Sequence, residues 1–149
     1  MTKIVKSIVG RRLGLGAKGN LVSENLDITP ACAGATVTVS DESTNVRTIT
    51  IQLTDSAGND IDYVESVEVA VFTTAARIAF ATTGGSTGIA IGTDGALLAV
   101  VAKKLFLVTS EADGDIDLTW TDTGTEAAAI GVRLPTGAWV MGSQLLTNA

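Results

Sequence analysis

The chain of 149 residues contains no histidine, which removes the most common general base and the most common metal ligand of enzymes. Without histidine, a Ser-His-Asp triad cannot form. Cys32 is the only cysteine, so no disulfide can form within the chain, and no histidine can activate its thiol. The role predicted for Cys32 is that of a small buried apolar residue. We expect neither an enzyme nor a bound cofactor.

Aromatic residues make up only 4% of the chain and charged residues 17%, whereas 46% of the residues are hydrophobic. The core must therefore consist mainly of Val, Ile, Leu and Ala. Threonine and glycine are plentiful and proline is rare, a balance that favours β-structure with turns of small residues. No apolar run approaches the roughly 18 residues of a transmembrane helix, so we expect no membrane partner. The basic N-terminus makes a poor signal peptide, because Lys6 and Ser7 interrupt its apolar part.

From residue 36 onward, apolar and polar residues alternate in several segments, which is the pattern of half-buried strands. Short apolar segments also lie at 77–82, 88–93, 96–102 and 104–110, and a last strand is predicted at 138–142. The most apolar of them, ALLAVV within 96–102, predicts a buried strand. About seven or eight short strands, at spacings of about 8–12 residues, are typical of a sandwich or barrel. The residues predicted to point inward are Ile49, Ile51, Leu53, Val67, Val69, Val71, Ile116, Leu118, Trp120, Ile130, Val132 and Leu134.

Small and polar residues between these segments predict turns at 55–60, at 113–114 and at 135–137, and a glycine-rich loop at 82–88. Trp139, like Trp120, lies in a predicted strand. We expect both indole rings to pack in the core rather than to line a ligand groove.

The basic residues are unevenly distributed. Five lie in the first 20 residues, before the first acidic residue, Glu24. The remaining residues carry the other five basic side chains and all 16 acidic ones, a formal charge of five minus 16, or −11. We therefore expect a basic, glycine-rich N-terminal arm at 1–30 and a β-sandwich domain at 31–149. Either an extended arm or a hairpin between 3–9 and 20–28 fits the sequence.

The arm is predicted to bind a partner. Nucleic acid is disfavoured, because the arm lacks aromatic residues for stacking on bases and the acidic remainder would repel phosphate. A solubilising tail without a partner would not need the apolar residues. An acidic protein surface, on which the arm becomes ordered, is the partner we expect. The predicted partner-binding residues are Lys3, Ile4, Val5, Lys6, Ile8, Val9, Arg11, Arg12, Leu13, Leu15 and Lys18.

Within the arm, GLGAKG at 14–19 has the G-x-G-x-x-G spacing of a dinucleotide-binding loop. That loop follows a buried strand and opens a helix, whose N-terminus holds the pyrophosphate. Here no helix pattern follows, and Pro30 and Gly34 come next, before an alternating segment. We predict a flexible or tightly turning segment, for which glycine is suited by its wide choice of φ.

Four acidic residues, Glu111, Asp113, Asp115 and Asp117, stand at every second position. An EF-hand loop that begins at Asp113 needs glycine at its sixth position and glutamate at its twelfth. This chain has Leu118 and Gly124 at those positions, so the motif does not match. A weak surface Ca²⁺ site stays open as an alternative. We favour a solvated strand face whose charges deter edge pairing, and no metal site.

The run GALLAVVAKKLFLVTSEADGDIDLTWTDTGTEAAAIGVRLPTGAWVMG resembles the C-terminal half of a family of small Ig-like β-sandwich virion proteins of tailed bacteriophages. The matching positions are Lys103-Lys104 before an apolar strand, the turn at Asp113-Gly114, and the hairpin at 132–137. Gly114 comes earlier in this turn than the glycine of the family's D-x-x-G pattern. The earlier TITIQLTDSAGNDI also resembles the first strand pair of these domains. The resemblance spans about residues 36 to 142, and the arm falls outside it.

The resemblance implies an all-β, Ig-like β-sandwich, with a jelly roll as the alternative. It further implies a capsid decoration or cement protein on the surface of the virion, made in the host cytoplasm. The partner would be the major capsid protein, and the protein a homo-oligomer, with a trimer favoured. Two other functions stay open: a neck, tail or fibre component of the virion, and a bacterial Ig-like adhesion or carbohydrate-binding module.

Overall fold

The structure is a computed structural model that describes residues 31–148 and, before them, the backbone of three short strands. These strands are β1 (Gly14–Leu15), β2 (Leu21–Ser23) and β3 (Leu26–Ile28), and they form a small antiparallel sheet of their own. The predicted hairpin partner at 3–9 lies outside the described residues, as do 16–19 of the GLGAKG segment.

Nine further strands follow in two antiparallel sheets, with no helix between residues 31 and 148. The sheets have the strand orders β4-β5-β10-β7 and β12-β11-β6-β9-β8. The predicted all-β class and β-sandwich are confirmed, with nine strands in place of the seven or eight expected. The strands are β4 (Gly34–Val39), β5 (Val46–Thr54), β6 (Ser66–Phe72), β7 (Gly88–Ile91), β8 (Ala96–Val101), β9 (Leu105–Thr109), β10 (Asp115–Thr121), β11 (Ala129–Arg133) and β12 (Trp139–Met141).

The core lies between the two sheets and consists of the residues that the alternation places on one face. In the central pair of the four-stranded sheet, Leu118 of β10 lies opposite Ile49 of β5, and both are fully buried. All twelve residues predicted to point inward are buried, so this prediction is confirmed. Cys32 is buried as predicted, and burial raises the pKa of its thiol above the ordinary value.

The segment after β12 closes one edge of the sandwich. Ser143 donates its backbone N–H to the carbonyl of Val37 at 3.0 Å, and its hydroxyl accepts from the backbone N–H of Val39 at 3.0 Å. Gln144 adds a side-chain hydrogen bond to the Val39 carbonyl at 2.8 Å. These contacts cover the outer edge of β4, where an exposed strand would otherwise offer unpaired backbone groups.

The prediction of a buried strand at ALLAVV is wrong. β8 is the outermost strand of the five-stranded sheet, and within it only Leu97 packs against the core. The five-stranded sheet is one strand wider than the sheet that covers it, so the last strand lacks cover. Leu98 lies on the outer face of the sheet, opposite Leu107, and is 64% exposed.

The strand predicted at 77–82 is also absent from the structure. The chain after β6 instead turns back on itself, with Arg77 at a positive φ of 58° and the backbone N–H of Thr73 bonded to the carbonyl of Ala79. One isolated bridge, between Phe72 and Phe80, is all the pairing that this segment makes. The positive φ of Arg77 excludes it from an extended strand, so the segment begins as a turn. Across residues 31–148, the chain has no helix with the length and apolarity needed to span a membrane.

Candidate functional site

The arm predicted to bind a partner lies mostly outside the described residues. This holds for Lys3, Ile4, Val5, Lys6, Ile8, Val9, Arg11, Arg12, Leu13 and Lys18. Leu15 belongs to β1, where its backbone lies opposite Leu21 of β2. The described candidates for binding are therefore surfaces of the sandwich.

The most distinctive surface is an aromatic corner, formed by Phe72, Arg77, Ile78, Phe80 and Trp139. The Phe72 and Phe80 rings stack with centroids 5.8 Å apart and planes at 5°, and Trp139 meets Phe72 edge-on at 5.2 Å and 73°. Three of the six aromatic residues of the chain are thus gathered in one place. The aromatic corner lies on the outer face of the five-stranded sheet, on the side of β6 that also carries Glu68.

Local sequence explains why the rings can meet there. Gly131 of β11 lies beneath them, and a Cβ at this position would stand 2.9 Å from the sulfur of Met141 and 3.2 Å from both the Phe72 and the Trp139 ring. The turn after β6 then carries Phe80 back over Phe72. Trp139 was expected in the core, and this prediction is wrong, because β12 presents its ring on the opposite face of the sheet.

The aromatic corner is chemically suited to binding a protein. Ile78 is 84% exposed and Phe80 is 43% exposed. The guanidinium of Arg77 lies 5.8 Å from the Trp139 ring centroid, within the range of a cation–π contact. Trp and Arg are enriched among the residues that dominate binding energy at protein interfaces. An exposed isoleucine beside them supplies apolar area that a partner can bury.

A second ordered surface is the glycine loop, residues 82–88, which leads from the five-stranded sheet to β7. Glu126 holds it by accepting hydrogen bonds from the backbone N–H groups of Thr83 at 3.0 Å and Gly84 at 2.9 Å. The Thr83 hydroxyl and the Gly85 N–H bond to the same carboxylate. A segment that the sequence presents only as a loop is therefore fixed by a carboxylate more than 40 residues away.

Other parts of the chain hold the glycine loop from below and from the side. The buried indole N–H of Trp120 donates to the Gly84 carbonyl at 3.2 Å. The Lys103 ammonium donates to the carbonyls of Gly85, at 3.2 Å, and of Ser86. Because Lys103 lies in the turn between β8 and β9, the glycine loop also fixes the end of β8.

The carboxylate of Glu126 gives a testable pH dependence. Burial pushes the pKa of Glu126 upward, but the hydrogen bonds from Thr83, Gly85 and Gly84 outweigh it, so the pKa is lowered from its ordinary value of 4.5. A depressed pKa in the folded state means that the ionised group stabilises the fold above the unfolded pKa, and that this stability is lost as the pH falls.

We expect Glu126→Gln to lower the free energy of unfolding by about 1 to 2 kcal/mol at pH 7. The glutamine amide is uncharged, and its NH2 group would face the N–H groups of the glycine loop, which are also donors. The difference from the wild type should shrink as the pH drops below 4.5. Urea unfolding at several pH values measures both effects. Asp60→Asn, at an exposed position, is the control that should change little. A constant difference across the pH range would contradict this role.

Asp115 and Asp117 lie on a half-exposed face of β10, as expected, whereas Glu111 and Asp113 precede the strand. The prediction that these charges deter edge pairing is wrong, because β10 is an interior strand that pairs with both β5 and β7. Asp117 accepts a hydrogen bond from the Thr50 hydroxyl at 3.1 Å. Burial, followed by the charges of Asp117, Asp113 and Asp94, raises the pKa of Asp115. Within residues 31–148 no three His, Cys, Asp or Glu side chains are arranged to hold a metal ion.

The aromatic corner escaped sequence reasoning. Its signal was available: Phe72 and Phe80 stand on either side of the apolar segment TTAARIA in a chain that has few aromatic residues. The contact with Trp139 joins positions far apart in the chain, which a local pattern cannot show. No family model, curated protein or solved structure matches this chain.

Proposed function

We propose that this chain is a structural virion protein, a capsid decoration or cement protein that binds the head surface of a tailed bacteriophage and stabilises the contacts between capsomers. The observation that carries this is the exposed aromatic corner on a rigid β-sandwich. It agrees with the virion proteins that the sequence resembles, because such proteins act by adhesion. The partner would be the major capsid protein.

Attachment would combine two elements. The basic arm, with its apolar residues, would bind an acidic surface of the shell. The aromatic corner would bury Ile78 and Phe80 against an apolar depression, with Arg77 and Trp139 at the centre. Since each joint of a shell is repeated many times, a modest affinity per copy stabilises the whole when every position is filled. The resemblance favours a trimer as the assembled unit.

The aromatic corner also bears on the alternative of a carbohydrate-binding module. Sugar rings stack on an open aromatic face, and here the Arg77 guanidinium lies beside the Trp139 ring while Phe72 is stacked by Phe80. These faces are already engaged within the protein. We therefore favour a protein partner over a sugar.

The test is co-sedimentation of the purified protein with phage heads that lack it, across a salt series. Saturable binding at hundreds of copies per head, lost steeply with salt, is expected from a decoration protein with a basic arm. Ile78→Asp should weaken binding by about tenfold or more, since it places a charge in the buried contact. Val64→Asp is the matched control, because Val64 is 57% exposed and lies outside the aromatic corner.

Other outcomes would point elsewhere. Saturation at a few copies per head would favour the neck, tail or fibre. An absence of binding would reject the virion role and return the adhesion module to first place. Equal losses in Ile78→Asp and Val64→Asp would show that the aromatic corner is not the contact.

A further inference from the structure

We propose that β8 is a self-association edge, at which two copies of this chain pair their β8 strands antiparallel about a two-fold axis. The inference does not rest on the proposed function. It follows from three features of the described surface: the edge position of β8, its exposed apolar side chains, and the opposite charges at its two ends.

An edge strand presents unpaired N–H and C=O groups, and proteins that remain monomeric usually protect such edges with charges, proline, short strands or a covering segment. β4 is covered by Ser143 and Gln144, and the edge strands β7 and β12 have only four and three residues. β8 has six residues, ALLAVV, with neither a charge nor a proline. Within the strand, the one feature of a kind that protects edges is the register shift between Ala99 and Val101, since β-bulges also blunt edge strands.

The side chains of β8 add an exposed apolar row to this open edge. Leu98 is 64% exposed, Val100 is 59% exposed, and Leu107 of the neighbouring strand is 40% exposed. Leu107 lies directly opposite Leu98, so the row continues onto the sheet face. The register shift between Ala99 and Val101 leaves Val100 exposed beside Leu98. Pairing with a second strand of the same kind would cover part of this surface, because the apolar side chains of the two strands would lie side by side on the joined sheet.

The charges around β8 select its partner. Its N-terminal end is acidic, with Asp94 before the strand and Glu111 held beside it through a hydrogen bond from the Gly95 N–H at 3.3 Å. Its C-terminal end is basic, with Lys103 and Lys104. An antiparallel copy reverses the strand, so each acidic end meets a basic end, whereas a parallel copy would place like charges together.

A two-fold axis fixes the register as well. If the axis passes through Ala99, this residue faces its own counterpart, and Leu98 of one copy lies opposite Val100 of the other. The same register places Asp94 opposite Lys104. The two most exposed apolar residues of the strand thus pair with each other, and the charges pair outside them in the same register. This pairing requires β8 to straighten at the register shift between Ala99 and Val101, because a bulge interrupts the ladder.

Both ends of β8 are held by contacts with neighbouring segments. At one end, Gly95 has a φ of 97°, and a Cβ there would lie 2.7 Å from the carbonyl of Thr109. At the other, the Lys103 ammonium is held by the carbonyls of the glycine loop. Because little freedom remains to be lost, pairing carries a small ordering cost.

The full-length protein at a series of concentrations, followed by sedimentation velocity and light scattering, tests the proposal. We expect a reversible dimer, whereas a trimer, the unit that the resemblance implies, would contradict a two-fold pairing of β8. Leu98→Lys should weaken the association by about tenfold or more, because it places two like charges in the contact. Ile78→Lys is the control, as Ile78 is 84% exposed but belongs to the aromatic corner, so this variant should dimerise like the wild type.

A charge exchange tests the antiparallel direction. Asp94→Lys should weaken the dimer, and the double variant Asp94→Lys/Lys104→Asp should restore it. Amide hydrogen exchange should show protection of β8 that rises with protein concentration in the wild type and is lost in Leu98→Lys. Thermal unfolding of each variant ensures that the differences arise from association rather than from misfolding.

Several results would overturn the proposal. These are a wild-type chain that stays monomeric, an assembly that Leu98→Lys leaves unchanged, and equal losses in Leu98→Lys and Ile78→Lys. Protection of β8 that does not depend on concentration would show that the chain's own arm covers the edge. A monomer with β8 unprotected would leave the edge to a different partner. None of these results bears on whether the protein binds phage heads, so the two proposals fail separately.

Discussion

Replacing Trp120 with alanine is expected to lower the free energy of unfolding by about 3 to 5 kcal/mol, which is a large part of the stability of a single domain. Trp120 is the largest fully buried side chain, and it lies at the end of β10 where the core meets the glycine loop. Its loss would leave a cavity. It would also leave the Gly84 carbonyl without the indole donor that now lies at 3.2 Å.

The measurement is urea unfolding followed by far-UV circular dichroism, which does not depend on the tryptophan that is removed. Trp120→Phe is the matched variant, since it keeps an aromatic ring but loses the hydrogen bond and part of the volume, and about 1 to 3 kcal/mol is expected for it. The emission of Trp139 should stay unchanged, because the aromatic corner is on the other side of the sheet. A cost below about 1 kcal/mol for Trp120→Ala would contradict the packing described for this residue.

The part of this fold that the sequence predicted rests on a local rule. In a strand, side chains alternate between the two faces, so Ile49, Ile51 and Leu53 had to share a side. The turn at 135–137 is equally local: the Gly137 N–H bonds to the Leu134 carbonyl at 2.8 Å, and Gly137 takes a φ of 87°. Such features depend on neighbours within a few residues, which the printed sequence shows.

The wrong predictions concern features that depend on contacts between distant parts of the chain. ALLAVV has the composition of a central strand, and only the strand order of the sheet makes it an edge. Trp139 alternates like a core residue, but the face of β12 that meets the other sheet is set by its register with β11. In the same way Glu126 reaches the glycine loop across more than 40 residues of intervening chain. Local patterns predict which residues of a strand share a face, whereas the order of the strands in the sheets determines which faces and edges remain exposed.

The candidate binding surfaces also divide into those that local sequence predicts and those that the topology creates. The binding role of the arm is inferred from charge and composition, and apart from Leu15 its predicted binding residues lie outside the described part of the structure, so it stays a prediction. The aromatic corner and the β8 edge are products of topology, and they became visible only in three dimensions. They lie toward opposite edges of the five-stranded sheet, since the strand order places β12 at one side and β8 at the other. One sheet can therefore serve a shell contact and a contact between copies at the same time.

The second large loss of unfolding free energy is expected for Gly84→Ala. Comparison with Gly58→Ala separates the cost of backbone strain from the cost of a steric collision. Gly84 and Gly58 have similar positive φ values, of 75° and 84°. A Cβ at Gly84 would stand 2.2 Å from the Lys103 carbonyl oxygen, whereas a Cβ at Gly58 would meet nothing within 4 Å. Gly58→Ala should therefore cost only the strain of the left-handed conformation, about 1 to 2 kcal/mol.

Gly84→Ala carries that strain and a collision with backbone in addition, and we expect a total cost of about 3 to 4 kcal/mol. Because the glycine loop would have to move away from Lys103, the hydrogen bonds from Trp120 and to Glu126 would be lost with it. Urea unfolding of the two variants under the same conditions measures the difference, and hydrogen exchange at Gly84 and Gly85 should rise only in Gly84→Ala. Equal costs at the two positions would mean that backbone conformation, and not the contact with Lys103, requires glycine in this loop.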